Sequence, residues 1–79
     1  MTLTLYGTLG CHLCDNAKEP VWAVLSEMGG RLREVDIAES DALMARYGTR
    51  IPVLGDDDGG SELDWPFSAD DIRRWLNAS

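Results

Sequence analysis

Cys11 and Cys14 are the only cysteines in this chain of 79 residues, and they read Cys-His-Leu-Cys. A bridge between them closes so short a loop that the chain-entropy argument gives it about 2 kcal/mol, below the ~3 of a fifteen-residue loop. A small scaffold held by disulfides normally carries several bridges. Chemistry therefore explains the pair better than stability does. Residues three apart on a helix are neighbours, about 5–6 Å apart and within reach of a disulfide. The free N–H groups and positive dipole end of a helix start favour a thiolate, the reactive form of cysteine, and lower a thiol below its usual ~8.5. A C-x-x-C pair that opens a helix within a β-α-β pattern reads as a thiol redox site. Cys14 begins an apolar stripe and is expected to face inward. Cys11 lies a turn earlier, beside a glycine loop, and is expected to be more exposed. Cys11 is thus the candidate nucleophile and Cys14 the resolving thiol that attacks the mixed disulfide.

The neighbours tune this pair in opposite directions. A protonated His12 at the helix start would favour the Cys11 thiolate, although an exposed, solvated histidine is the simpler reading. Asp15 disfavours a thiolate as a nearby negative charge, and it is equally a good first-turn acid. Lys18 either offsets Asp15 or meets a substrate carboxylate.

The elements that position the pair follow from periodicity. Thr2 to Tyr6 alternate as a strand with Leu3 and Leu5 on one face. A loop spans Gly7 to Gly10. From Cys11 to Met28 the period becomes helical, with Cys14, Ala17, Val21, Val24, Leu25 and Met28 on one face. Pro20 should kink this helix unless a tertiary contact holds it, and Gly29-Gly30 ends it. Arg31 to Ile37 is the next strand. Ser40 caps a short helix over Asp41–Tyr47. Ile51 to Leu54 form a third strand, Asp58-Gly59-Gly60 a turn, and Glu62 to Asp64 a returning strand. Ser68 and Asp71 make a capping box for the last helix, with Phe67 and Ile72 at its staple positions and Ile72, Trp75 and Leu76 on its buried face. Trp22, Trp65 and Trp75 are expected in or near the core. The order is β-α-β-α-β-β-α, with a parallel first β-α-β unit and a later hairpin.

Composition narrows the function classes. The length fits one domain, residues 1–79, whose folded surface should be ~4,700 Å². The hydrophobic fraction of 44% and charged fraction of 27% are those of a globular chain. No apolar run approaches the ~18 residues of a membrane span, and the N-terminus has no basic, apolar leader pattern. The net charge is −7, and Arg31/Arg33 and Arg73/Arg74 are isolated pairs among acids, so nucleic acid and anionic membranes are poor partners. Asp56-Asp57-Asp58-Gly59 does not fit a calcium loop, because an EF-hand with its glycine at Gly59 would begin at Leu54 and end at Trp65. It reads as a solvated hairpin turn. Cys11, His12 and Cys14 supply at most three of the four ligands of a structural zinc site, so no metal site is assigned.

Leu5-Tyr6-Gly7 ending a strand, the C-H-L-C of Cys11 to Cys14, Ala17-Lys18 after it, and the distant Ile51-Pro52-Val53-Leu54 resemble the thioredoxin superfamily, and most closely the short glutaredoxin-like proteins. The resemblance covers essentially the whole chain. It implies a minimal thioredoxin (glutaredoxin-like) α/β fold: three helices and a four-stranded mixed sheet of order 2-1-3-4, with the third strand antiparallel to the first. It also implies a cis Ile51–Pro52 bond packed against the cysteines. Ile51 and Pro52 would then bind substrate through free Ile51 backbone groups, by strand-like hydrogen bonds.

Departures from the family pattern bear on the partner. His12-Leu13 replaces the usual Pro-Tyr, and Thr8 stands where a basic residue is common. The Gly-Gly-acid run that greets glutathione is replaced by Trp65-Pro66-Phe67-Ser68-Ala69-Asp70, with Asp70 as a remaining contact for an amine. Lys18 and Arg50 are the remaining basic contacts. Trp65-Pro66-Phe67 could alternatively line a groove beside the cysteines. The resulting expectation is a cytoplasmic, monomeric thiol–disulfide oxidoreductase with no bound cofactor. It would exchange disulfides with a protein or with glutathione as co-substrate, and be recharged by glutathione or a thiol reductase. The alternatives are a metal or iron–sulfur carrier using Cys11 in a glutathione-bridged dimer, and a protein-binding module with a vestigial site.

Overall fold

The computed structural model describes residues 1–78. Strand β1 (Thr2–Gly7) is followed by helix α1 (His12–Met28), β2 (Arg31–Asp36), a 3-10 turn (Ile37–Glu39), α2 (Asp41–Tyr47), β3 (Val53–Asp56), β4 (Glu62–Asp64) and α3 (Ala69–Ala78). The sheet order is β2-β1-β3-β4. β1 runs parallel to β2, while β3 is antiparallel to β1 and to β4. This is the sheet the resemblance implies.

Alternation along the strands divides the interior in two. Leu3, Leu5 and Leu54 point to the face covered by α1 and α3, where Ala17, Val21, Val24 and Ile72 are fully buried. Register stacks Leu5 on Leu54 and Leu54 on Leu63 in one row across three strands. Val53 and Tyr6 point the other way, onto Ile37 and Tyr47 of the 3-10 turn and α2. The chain exposes 4760 Å², which matches the area expected of a compact chain of this mass.

The local signals explain most boundaries. Gly29, at φ 76°, ends α1 and donates its N–H to the Leu25 carbonyl at 2.8 Å, a left-handed cap that glycine adopts without a Cβ penalty. α1 continues through Pro20, because Ala17, Val21 and Val24, all fully buried, anchor it on both sides. The Ser40 hydroxyl accepts the Leu43 N–H at 3.3 Å. Ser68 and Asp71 exchange hydrogen bonds of 2.9 and 3.1 Å, and these bonds hold the Asp71 carboxyl below its ordinary range.

Four expectations are corrected. β2 stops at Asp36, whose carboxylate accepts the Ala38 N–H at 2.9 Å and turns the chain into the 3-10 segment. β3 begins at Val53 instead of Ile51, because the Ile51 N–H is taken by the Tyr47 carbonyl at 3.1 Å. Met28, in the last turn of α1, is 49% exposed and does not join the buried face of the helix. Trp22 is also 49% exposed, one position off the stripe that buries Val21; Trp65 and Trp75 are packed against the core.

Candidate functional site

Cys11 is the N-cap residue of α1, with extended backbone (φ −89°, ψ 107°). Its sulfur accepts the Cys14 N–H at 3.1 Å, and its carbonyl accepts the Asp15 N–H at 3.2 Å. One of the orphan donors of the helix start is therefore aimed at the Cys11 sulfur. A reduced, anionic sulfur gains more from that donor than a neutral one. The two cysteines are joined in a disulfide, with Cα atoms 5.2 Å apart. Cys14 is buried at 4% exposure and Cys11 is half-buried. The pair is thus asymmetric, with Cys11 the more exposed residue and Cys14 the covered one.

Gly7, at the end of β1, makes room for the covered sulfur. A Cβ there would lie 2.9 Å from Cys14 Sγ and 3.1 Å from its Cβ. Gly7→Ala should therefore cost the oxidised protein about 1–3 kcal/mol, the usual penalty of overpacking. Denaturant unfolding checks this, and an unchanged midpoint would mean that Cys14 does not rest on β1.

A cleft of about 280 Å³ opens beside this contact, lined among others by Gly7, Cys14, Asp15, Lys18, Glu34 and Asp36. Lys18 shares this cleft with Cys14, whereas Cys11 does not line it. Lys18 does not present a free charge, however. Its Nζ lies 2.8 Å from Glu34 and 3.4 Å from Asp15, and Glu34 foremost raises its pKa. His12, Leu13 and Leu9 are exposed around Cys11.

Arg50, Ile51 and Pro52 do not line that cleft. Ile51–Pro52 is cis, as is Trp65–Pro66, which the sequence did not suggest. Pro52 is buried and Ile51 half-buried. The Ile51 N–H is not available to a substrate, being bonded to Tyr47; this corrects the expectation of a free Ile51 backbone. Arg50 binds Glu62 at 3.0 Å and Asp64 at 2.8 Å, and its guanidinium sits over the Tyr47 ring. Phe67 is buried in the core, with Trp65 edge-on to it at 5.0 Å.

The cluster around Arg50 was not legible from spacing, because its members come from β1, α2 and β4. Tyr47 stacks on Tyr6 at 4.2 Å and donates its hydroxyl to Glu62 at 2.5 Å. Burial, and then this bond, raises the Tyr47 pKa. The Tyr47 hydroxyl and then Arg50 hold the Glu62 carboxyl below its ordinary 4.5, against the opposing effect of burial. The Glu62 contribution to stability is therefore complete above that ordinary value and is lost as pH falls through the lowered one. Glu62→Gln should cost about 1–2 kcal/mol near neutral pH and flatten the acid limb of stability against pH. A limb of unchanged slope would remove Glu62 from its cause.

The acidic hairpin turn is exposed at Asp57, Asp58, Gly59 and Gly60, and its carboxylates also bond within the turn and to its neighbours. Asp56 accepts the Asp58 N–H at 3.0 Å, Asp57 accepts the Thr4 hydroxyl at 2.7 Å and pairs with Arg33 at 3.1 Å, and Asp58 accepts the Thr2 N–H at 3.3 Å. Among the described residues no group of three or more His, Cys, Asp or Glu side chains is placed to hold a metal ion, and no helix is long and apolar enough to cross a membrane.

Comparison with known proteins agrees with this architecture. The crystal structure of target protein XcR50 from X. campestris is 45% identical, covers 98% of this chain and 97% of its own, and superposes with a TM-score of 0.84. Protein Ne2328 from Nitrosomonas europaea is 27% identical over 94% of this chain and 88% of its own, with a TM-score of 0.81. Thioredoxin 1 from Thermosipho africanus TCF52B, at 15% identity, covers 99% of this chain and 97% of its own, with a TM-score of 0.68; that likeness is one of fold alone. No curated protein matches. The family described as Glutaredoxin-like domain (DUF836) matches residues 2–77. With that match over nearly its whole length, the chain belongs to the glutaredoxin-like domain family and has the thioredoxin-like fold.

Proposed function

We propose that this protein is a dithiol–disulfide exchanger in which Cys11 attacks and Cys14 resolves. The observation that carries the reading is the asymmetric pair at the start of α1: a half-buried Cys11 whose sulfur receives a helix N–H, and a covered Cys14. The first is suited to attack from solvent and the second to an internal attack. In this reading the half-buried Ile51 offers its carbonyl to a substrate segment, while Pro52 is buried and Lys18 and Arg50 are held in ion pairs. The protein acts as a monomer in a reducing cytoplasm, without a bound cofactor, and is recharged by glutathione or a thiol reductase.

A stoichiometric reaction tests this. Reduced protein mixed with hydroxyethyl disulfide should release two small thiols for each Cys11–Cys14 disulfide formed, as read by alkylation and mass. Release without formation of the internal disulfide would contradict the dithiol mechanism.

A further inference from the structure

The carboxylates paired with Lys18 and Arg50 bear on which disulfides the site accepts. We infer that its substrate is a protein disulfide flanked by basic and apolar side chains, and that glutathione disulfide is a poor substrate. This rests on the exchange reading above and specifies its substrate class.

Glutathione carries two carboxylates for each ammonium group, so a site that binds it well needs available cations. Neither candidate is available. Lys18 is held by Glu34 at 2.8 Å and Asp15 at 3.4 Å, and Arg50 by Glu62 at 3.0 Å and Asp64 at 2.8 Å. The cleft beside Cys14 is lined by three acidic residues, Asp15, Glu34 and Asp36, and by one basic residue, Lys18, which Asp15 and Glu34 hold. An anionic substrate must displace these pairs and also approach a chain of net charge −7. A basic side chain near a substrate cysteine meets the opposite field, which raises its rate of encounter.

The apolar half of the inference comes from the loop before Cys11 and the turn after it. Leu9 is 88% exposed and Leu13 is 50% exposed. Exposed large apolar side chains two residues before and after Cys11 suit the apolar residues of a polypeptide, which glutathione lacks.

The reaction balances without a further reagent. The Cys11 thiolate attacks one substrate sulfur, the substrate S–S bond breaks, and one substrate thiolate leaves. The Cys14 thiolate then attacks Cys11 Sγ, and the second substrate thiolate leaves. The protein pair gives up two electrons and two protons, and the two substrate thiols receive them.

The test uses the reduced full chain against disulfide-linked dimers of a short peptide, with Lys, Gln or Glu flanking a Cys-Leu pair. Glutathione disulfide and the neutral hydroxyethyl disulfide are run beside them. Each rate is divided by that of dithiothreitol with the same substrate, which removes differences in intrinsic thiol reactivity. The Lys peptide should react at least about ten-fold faster than the Glu peptide and glutathione disulfide at low salt. The gap should shrink near 1 M salt, where screening falls to about 3 Å. Replacing the peptide leucine by serine should slow the reaction about three-fold. Glu34→Gln, which loosens the hold on Lys18, should narrow the gap between the Lys and Glu peptides. Equal rates across the series, or glutathione disulfide as fast as the Lys peptide, would overturn the inference while leaving the exchanger intact. Failure to reduce even hydroxyethyl disulfide would instead overturn the exchange reading, and the inference with it.

Discussion

Cys14→Ser should convert the protein into a trap. Its Cys11 thiolate still attacks a substrate disulfide, but no second thiol is present to resolve the product, so the mixed disulfide persists. Mass spectrometry should find one substrate half per protein, attached at Cys11 and released by dithiothreitol. Cys11→Ser should behave differently. The remaining Cys14 sulfur is 4% exposed and sits under β1, so disulfide reduction should fall by at least about 10³-fold, the scale of losing an attacking nucleophile. Substrate trapped on Cys14 in the Cys11→Ser protein, at a rate near that of Cys14→Ser, would mean that the roles are reversed or shared.

Leu54→Ala should be the most damaging of simple core substitutions. Leu54 is fully buried in β3 and lies between Leu5 and Leu63 in the row that joins three strands. Truncating such a leucine costs about 2–5 kcal/mol, a transfer loss plus a cavity that rigid neighbours cannot fill. A chain of this length holds about 4–12 kcal/mol in all, so the variant should be partly unfolded at ambient temperature or melt about 10–30 °C lower. Leu9→Ala is the control. Leu9 is 88% exposed, and its loss should stay within about 0.5 kcal/mol. Equal effects of the two substitutions would contradict the placement of the core.

The site was legible where chemistry and local signals coincide. Two cysteines at a helix start, ahead of a stripe through Ala17, Val21 and Val24, define a sulfur pair with one member inside, because helical periodicity alone decides which one faces the sheet. The capping residues Ser40 and Ser68 mark their helices for the same reason: their bonds are made within three residues. Long-range pairing was the part that could not be read. Nothing in the spacing of Tyr6, Tyr47, Arg50 and Glu62 shows that β1, α2 and β4 bring them together, so Arg50 read as a free cation. The Lys18 pairing with Asp15 is local and legible, but its shorter pairing with Glu34 comes from β2 and is not. The start of β3 was misplaced because the Ile51 N–H turns back to Tyr47, a contact that hydrophobic pattern does not encode. The order of strands followed from the family resemblance, and periodicity supplied only the elements.

The central claim is that Cys11 and Cys14 form a reversible two-electron couple. Equilibration of the full chain against graded dithiothreitol and glutathione buffers, followed by alkylation and mass analysis, measures it directly. The expected result is a single transition between dithiol and internal disulfide, with a midpoint in the ~−180 to −270 mV span of known exchangers. A pair that stays reduced, or forms only bonds between chains, across that span would contradict the claim.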